Sequence, residues 1–433
     1  RTKTLREYSA ATFSHLLSEF GYKFDRRLKS PQTKPGTTMP QSELMQGFPP
    51  SPENQVTAEN WRTSPFSSWA FRNIRQLLPT APIHASRNHQ WELSRTPRNL
   101  TDLPFQDIQG KEVTLGKFLI DNDVDGFIVL HNGAVVFEHY DHGLLPNSPH
   151  ILFSVSKSMT AILTGILVDR GFLDPDSPIT EYIPEVNSSA YETATVRHLL
   201  DMSVGISFNE DYENEAGDFA RYRMATGWIP LTEPGAPDNL RSFLPTLRKE
   251  GDHGVAFHYV SPNTDLLGWV LERASGLPFA ELFSREIWRP MGAEFDAYVN
   301  VDRLGASRSA GGICVTLRDF GRFGQMCLNM GLGNGQSIVP NWWLRDIRQN
   351  GNQAVWDAGN FAEFMPNWRY RSKWYISPTG VYAGLGVFGQ FLYVYPAADV
   401  VIARFSSRPK ALDPADKDSS YLAYEAICTL LNR

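Results

Sequence analysis

Cysteine is scarce in this chain. Cys314, Cys327 and Cys428 are odd in number and form no Cys-x-x-Cys pair, so neither a disulfide framework nor a cysteine-based zinc site is expected. They read as reduced core residues. No run of about 18 apolar residues occurs, so no membrane-spanning helix is predicted. The first residues also lack a signal-type apolar stretch. Basic charge is not in excess. The 41 Lys and Arg stand against 47 Asp and Glu, a net charge of −6 that argues against nucleic-acid binding. Two hydrolase signatures are missing as well, Gly-x-Ser-x-Gly and His-Glu-x-x-His, which sets aside a nucleophile elbow and a zinc peptidase. The expectation is a cytoplasmic protein without metal or cofactor.

What is present is a core-forming chain of 433 residues, 42% hydrophobic, long enough for two or three domains. Residues 1–50 read as an extension, with a helix over 4–20 and a Pro-, Ser- and Thr-rich linker over 29–50. Trp61, Trp69 and Phe71 are expected to anchor the start of the folded body. Two alternating runs, 126–131 and 134–140, flank Asn132-Gly133, the turn that suits a twisted hairpin. Glu138, His139 and His142 could suggest a metal site, but strand alternation divides such residues between two faces. Helices are predicted over 196–202, 238–250, 263–274 and 320–330, the last opened by a capping box at Thr316–Asp319. Strands follow at 381–387, 390–395 and 400–406, then a helix at 421–431. Strands at both ends with helices between them suggest an α/β fold, one sheet built from both termini. The expected division is a sheet domain of 51–153 and 300–433 and a helical domain of 154–299.

The chemistry centres on Ser154-Val155-Ser156-Lys157. After Ser154 the apolar residues Met159, Ile162, Leu163, Ile166 and Leu167 take helical spacing. Ser154 therefore opens a helix, near unpaired N–H groups that favour negative charge. Lys157 shares its face. A lysine among apolar walls has a depressed pKa and can take a serine proton near neutral pH. Against this, a serine at a helix start is commonly only a cap, and Ser-x-x-Lys recurs at Ser407–Lys410 in turn-like surroundings. Two further stretches bear on the choice. Tyr259 stands just before a helix start, where a lowered pKa would let it shuttle protons. Gly384, Gly386 and Gly389, in and beside a strand, mark a close approach that could aim a backbone N–H at an oxyanion.

Together these residues resemble the serine hydrolase family of class C β-lactamases, DD-peptidases and Ser-x-x-Lys esterases, and most of all the 6-aminohexanoate-dimer (nylon oligomer) hydrolases. The resemblance runs from about Trp61 to Ser407. It is carried by Leu152–Ser158, Thr180–Glu185, Leu199–Met202, Asn209–Tyr212, Tyr259–Asp265, Gly311-Gly312 and Gly384–Gln390 in order. It implies a class C β-lactamase-like fold, an antiparallel sheet flanked by helices with a helical insertion. It also implies that Ser154 attacks, Lys157 accepts the proton and Tyr259 relays one to the leaving group. The backbone N–H groups of Ser154 and Val387 would hold the oxyanion, and Tyr212 would close over the substrate. The implied binding set is Tyr212, Arg223, Trp228, Ser261, Asn263, Trp374, Tyr375 and Gly386.

The departures are specific. Ser261 stands where class C β-lactamases carry Asn, and Gly384 where they carry Lys, which counts against β-lactam binding. Arg223 falls where the best nylon-dimer hydrolases are acidic, an arginine that would repel a substrate ammonium or favour an anionic or neutral substrate instead. Ala310 replaces a polar residue beside Gly311. The expected function is hydrolysis of small amides or esters through an acyl-enzyme. The alternatives are a carboxylesterase of the same family or a catalytically silent binding module. The expected partner is a small-molecule amide or ester, with no nucleic acid or membrane, and a homodimer is left open.

Overall fold

The structure is a computed structural model that describes residues 43–433, except 213 and 215. The expected helix over 4–20 and most of the expected linker lie outside the described residues. In chain order, the strands that position the site begin with β1 (Thr80–Ile83), β2 (Ser94–Arg95), β3 (Val124–His131), β4 (Ala134–Tyr140) and β5 (His150–Ile151). Helices α1 (Val155–Asp169), α2 (Val196–Leu200), α3 (Asp218–Ala225) and α4 (Pro262–Ser275) follow. Then come β6 (Ala297–Asn300), β7 (Ile313–Val315) and α5 (Leu317–Leu328). The last stretch holds β8 (Arg369–Arg371), β9 (Trp374–Ile376), β10 (Tyr382–Gly386), β11 (Gln390–Tyr395), β12 (Val400–Ser406) and the helix α6 (Pro414–Leu431).

The hairpin forms as its turn residues require. Asn132 and Gly133 take φ of 50° and 75°, the left-handed pair of a two-residue turn matched to strand twist. The large sheet has the order β8-β9-β10-β11-β12-β3-β4-β2. Its centre joins the two ends of the chain, because β12 pairs antiparallel with β3, Val400 facing His131 and Arg404 facing Phe127. Helix α5 covers one face, where Gly324 lets it approach Val401: a Cβ there would come within 2.5 Å of that side chain. Helix α6 covers the other, with Tyr424 against Phe127 and Phe391. A second sheet, β1-β6-β7-β5, delivers the chain to Ser154.

Three elements differ from expectation. The helix expected over 238–250 shrinks to Leu240–Phe243 and a 3-10 turn at Leu244–Thr246, because Pro245 has no N–H to continue the ladder. Arg248–Lys249 then pairs as a short strand with Ile206–Ser207. The last helix starts earlier, at Pro414, with Asp413 capping the Ala415 N–H at 3.1 Å. At α5, Thr316 caps as predicted, but the Asp319 carboxylate turns instead to the N–H groups of Glu294 and Phe295.

Candidate active site

Helix α1 is buried along nearly all its length, from Val155 to Leu167, so each polar side chain on it needs a partner. Thr160 and Thr164 donate back to the carbonyls one turn earlier, and Ser158 donates to the Lys373 carbonyl at 2.8 Å. Lys157 is held differently. Its ammonium group donates to the Ser154 Oγ and to the Ala310 carbonyl, both at 2.8 Å. Ala310 is fixed in turn by Asp265, whose Oδ1 accepts its N–H at 2.8 Å, while Asp265 Oδ2 pairs with Arg308 and takes the Tyr222 hydroxyl. Burial depresses the Lys157 pKa to about 7, as expected from its surroundings; Glu210 and Asp265 oppose the shift and Arg308 adds to it.

Ser154 is aimed by strain. Phe153 has φ of 44°, a left-handed conformation costly for a side chain of its size. An aromatic box holds it: Trp61 stacks on its ring at 6.1 Å, and Phe71, Trp228 and Phe388 stand at 4.9, 5.9 and 5.2 Å. The main-chain N–H of Ser154, ahead of α1, and that of Val387, first in a 3-10 turn, have no hydrogen-bond partner among the described residues. Such paired free donors suit a developing oxyanion. The glycines of β10 permit the approach. A Cβ on Gly384 would meet Val155 at 2.9 Å and Ser158 at 3.0 Å, and one on Gly386 would meet the Leu152 carbonyl at 2.7 Å. Any side chain at Gly384 would have to displace those of Val155 and Ser158.

Tyr259 requires a correction. Its pKa is raised well above the ordinary phenol value rather than lowered, because burial dominates and Glu210 adds to it, against a hydrogen bond with Ser154. Lys157 sits over its ring, 5.0 Å from the centroid. Tyr259 is thus a neutral hydroxyl, able to donate a proton rather than to take one.

Ser154, Tyr212, Tyr259, Tyr375, Gly386 and Val387 line one cleft. Lys157 lies just behind Ser154, and five residues of the expected binding set do not line the cleft. Trp374 is fully buried against Tyr382, on the opposite face of β9 from Tyr375, as strand alternation dictates. Trp228 lies behind the Phe153-Ser154 turn in the aromatic box, and its carbonyl accepts from Trp61 Nε1 at 3.0 Å. Arg223 is only 7% exposed and packs over the Phe219 ring at 5.2 Å. Asn263 accepts the Tyr191 hydroxyl at 3.1 Å inside the helical core. Ser261 is buried beneath the cleft and spends its N–H and hydroxyl on Glu210, each at 2.6 Å. The second Ser-x-x-Lys is structural: Ser407 donates to Asp125 at 2.9 Å, and Ser407–Lys410 lies outside any helix.

Glu210 lies in the Asn209–Tyr212 stretch, and its place in the site is visible only in the fold. Besides Ser261, it accepts the Tyr212 hydroxyl at 2.7 Å, which ties Tyr212 to the start of α4. The far wall, from Phe361, Phe364, Phe391, Leu412 and Lys417, carried no motif at all. Among the described residues, no cluster of three or more His, Cys, Asp or Glu side chains is placed to hold a metal. Nor is any helix there long and apolar enough to cross a membrane.

A family model described as Beta-lactamase matches residues 120–426. The 6-aminohexanoate-dimer hydrolase of Paenarthrobacter ureafaciens is 33% identical over 366 residues, covering 84% of this chain and 91% of that one. Esterase EstB of Burkholderia gladioli is 29% identical over 162 residues, covering 35% of this chain and 38% of its own. Among solved structures, a Bacillus anthracis protein assigned as a 6-aminohexanoate-dimer hydrolase superposes with a TM-score of 0.80 at 27% identity. It covers 88% of this chain and 98% of its own.

Proposed function

This chain belongs to the beta-lactamase family and is a serine hydrolase acting on amides or esters, and from that premise we propose that it cleaves small linear amides through an acyl-enzyme on Ser154. The observation that carries the reading is the 2.8 Å contact between Ser154 Oγ and a buried Lys157 whose pKa lies near 7. Neutral Lys157 takes the hydroxyl proton as Ser154 Oγ bonds to the carbonyl carbon. The oxyanion settles against the N–H groups of Ser154 and Val387. As the C–N bond breaks, the Tyr259 hydroxyl gives its proton to the leaving nitrogen and regains one from the Lys157 ammonium. Water then attacks the ester carbonyl, passing a proton to the neutral lysine, and frees the acid and Ser154.

Amide rather than ester preference rests on the donor at the leaving group. An amine leaves poorly unless its nitrogen is protonated, and the Tyr259 hydroxyl lines the cleft beside Ser154, within hydrogen-bond reach of it. The test compares wild type and Ser154→Ala on linear amides and on p-nitrophenyl esters, with intact mass to detect the acyl adduct. Turnover of amides should fall by at least about 10³-fold in the variant, from the usual weight of a nucleophile. Amide turnover that survives the substitution would refute the assignment. Serine-dependent turnover of esters alone would make the protein a carboxylesterase.

A further inference from the structure

The cleft is walled on one side by the nucleophile and on the other by the 361–364 loop and the start of α6. Its wall is largely apolar: Phe361, Phe364, Tyr375, Leu385, Phe391 and Leu412. Phe361 stacks on the Tyr259 ring at 5.1 Å, so this wall is continuous with the catalytic tyrosine. Asp413, Asp416 and Lys417 also reach the cleft, and each is already committed. Asp413 pairs with Arg408 at 2.6 Å, and Asp416 with Arg404 at 2.8 Å and Arg408 at 3.3 Å. Lys417 donates to the Phe364 carbonyl at 2.5 Å, pairs with Asp418 at 3.0 Å and lies 4.4 Å over the Phe364 ring. Three carboxylates therefore meet three cations. At the other end, the Glu210 carboxylate already accepts from Ser261 twice and from Tyr212.

A charged substrate end entering this cleft would lose water against aromatic rings and find the charged groups that line it, Asp413, Asp416 and Lys417, already in ion pairs. Burying a charge without a partner is costly, whereas an apolar arm gains by displacing water from the same rings. We propose that the site selects amides whose acyl and amine arms are both uncharged and apolar, with Leu412 and Phe364 setting that preference. This rests on the acyl-enzyme reading above and specifies its substrate class. The 6-aminohexanoate dimer, with an ammonium at one end and a carboxylate at the other, is then a poor substrate despite the likeness to enzymes named for it. Leu412 is 53% exposed at the mouth, where a substituted side chain can be accommodated without disturbing the core.

The experiment measures kcat/KM of wild type and Leu412→Asp on a matched set. The set is N-butylhexanamide, the same amide with an ammonium on the acyl arm, 4-(hexanoylamino)butanoate with a carboxylate on the amine arm, and the 6-aminohexanoate dimer. The uncharged amide should exceed each charged one by at least about 10-fold, the smallest effect expected of an uncompensated charge. Leu412→Asp should narrow the gap for the ammonium-bearing amide. Equal or faster cleavage of a charged amide, dependent on Ser154, would overturn this inference and leave the acyl-enzyme intact. Absence of Ser154-dependent turnover across the whole set would overturn both.

Discussion

At the scale of single residues, the site turns on one amine. Lys157 sits at about 7 because burial outweighs the pull of Glu210 and Asp265. A base must be unprotonated, so kcat/KM should rise with pH along a single limb with its midpoint near 7 and then hold level. Tyr259 adds no descending limb below the ordinary phenol range, since its pKa moves up. A pH–rate profile checks this, and a bell with an alkaline limb near 8 would contradict the placing of Tyr259. Lys157→Arg should abolish the ascending limb along with activity, because a guanidinium stays protonated. Ser154 and Lys157 were legible because the pair is local, three residues apart on one helical face. Ser261, Asn263 and Trp374 were misplaced because a side chain's direction depends on partners far along the chain, Glu210, Tyr191 and Tyr382.

At the scale of elements, the proposed oxyanion donors depend on how closely β10 lies against α1. Gly384 fixes that spacing, with Val155 and Ser158 waiting at 2.9 and 3.0 Å for any Cβ. Gly384→Ala should push the strand off the helix, moving the Val387 N–H from the Ser154 N–H. Overpacking of this kind costs about 1–3 kcal/mol of stability, and a displaced oxyanion donor costs about 10²-fold or more in kcat. Urea unfolding and steady-state kinetics measure the two effects, and a variant with wild-type kcat would show that the spacing is slack. The hairpin, α1, α4 and the last three strands were readable because their turn residues and periodicity are short-range signals. The helix expected at 238–250 failed on Pro245, and α6 was read too short because its Asp-Pro start resembles a loop. The cleft's far wall was invisible for another reason: Phe361, Leu412 and Lys417 come together only through tertiary packing.

At the scale of the whole molecule, strands at both ends of the chain with helices between them were enough to predict a sheet shared by the two ends, and the pairing of β12 with β3 realises it. That pairing makes the fold indivisible. A chain ending at residue 380 keeps α1 and the helical insertion but loses β10, β11 and β12, leaving β3 paired on one edge only, with β4. It should show no cooperative thermal transition and should be degraded rapidly in limited proteolysis, whereas a trypsin-resistant body with a sharp transition would indicate an autonomous helical domain.

The same pairing reaches back to the ribosome. Synthesis proceeds at about 5–20 residues per second, so β3 emerges on the order of tens of seconds before the strand that covers its edge. During that interval the nascent chain carries an apolar hairpin with an open edge, the geometry most prone to pair with a stranger. Yield in a cell should therefore track translation speed and chaperone supply more closely than it tracks the stability of the finished enzyme.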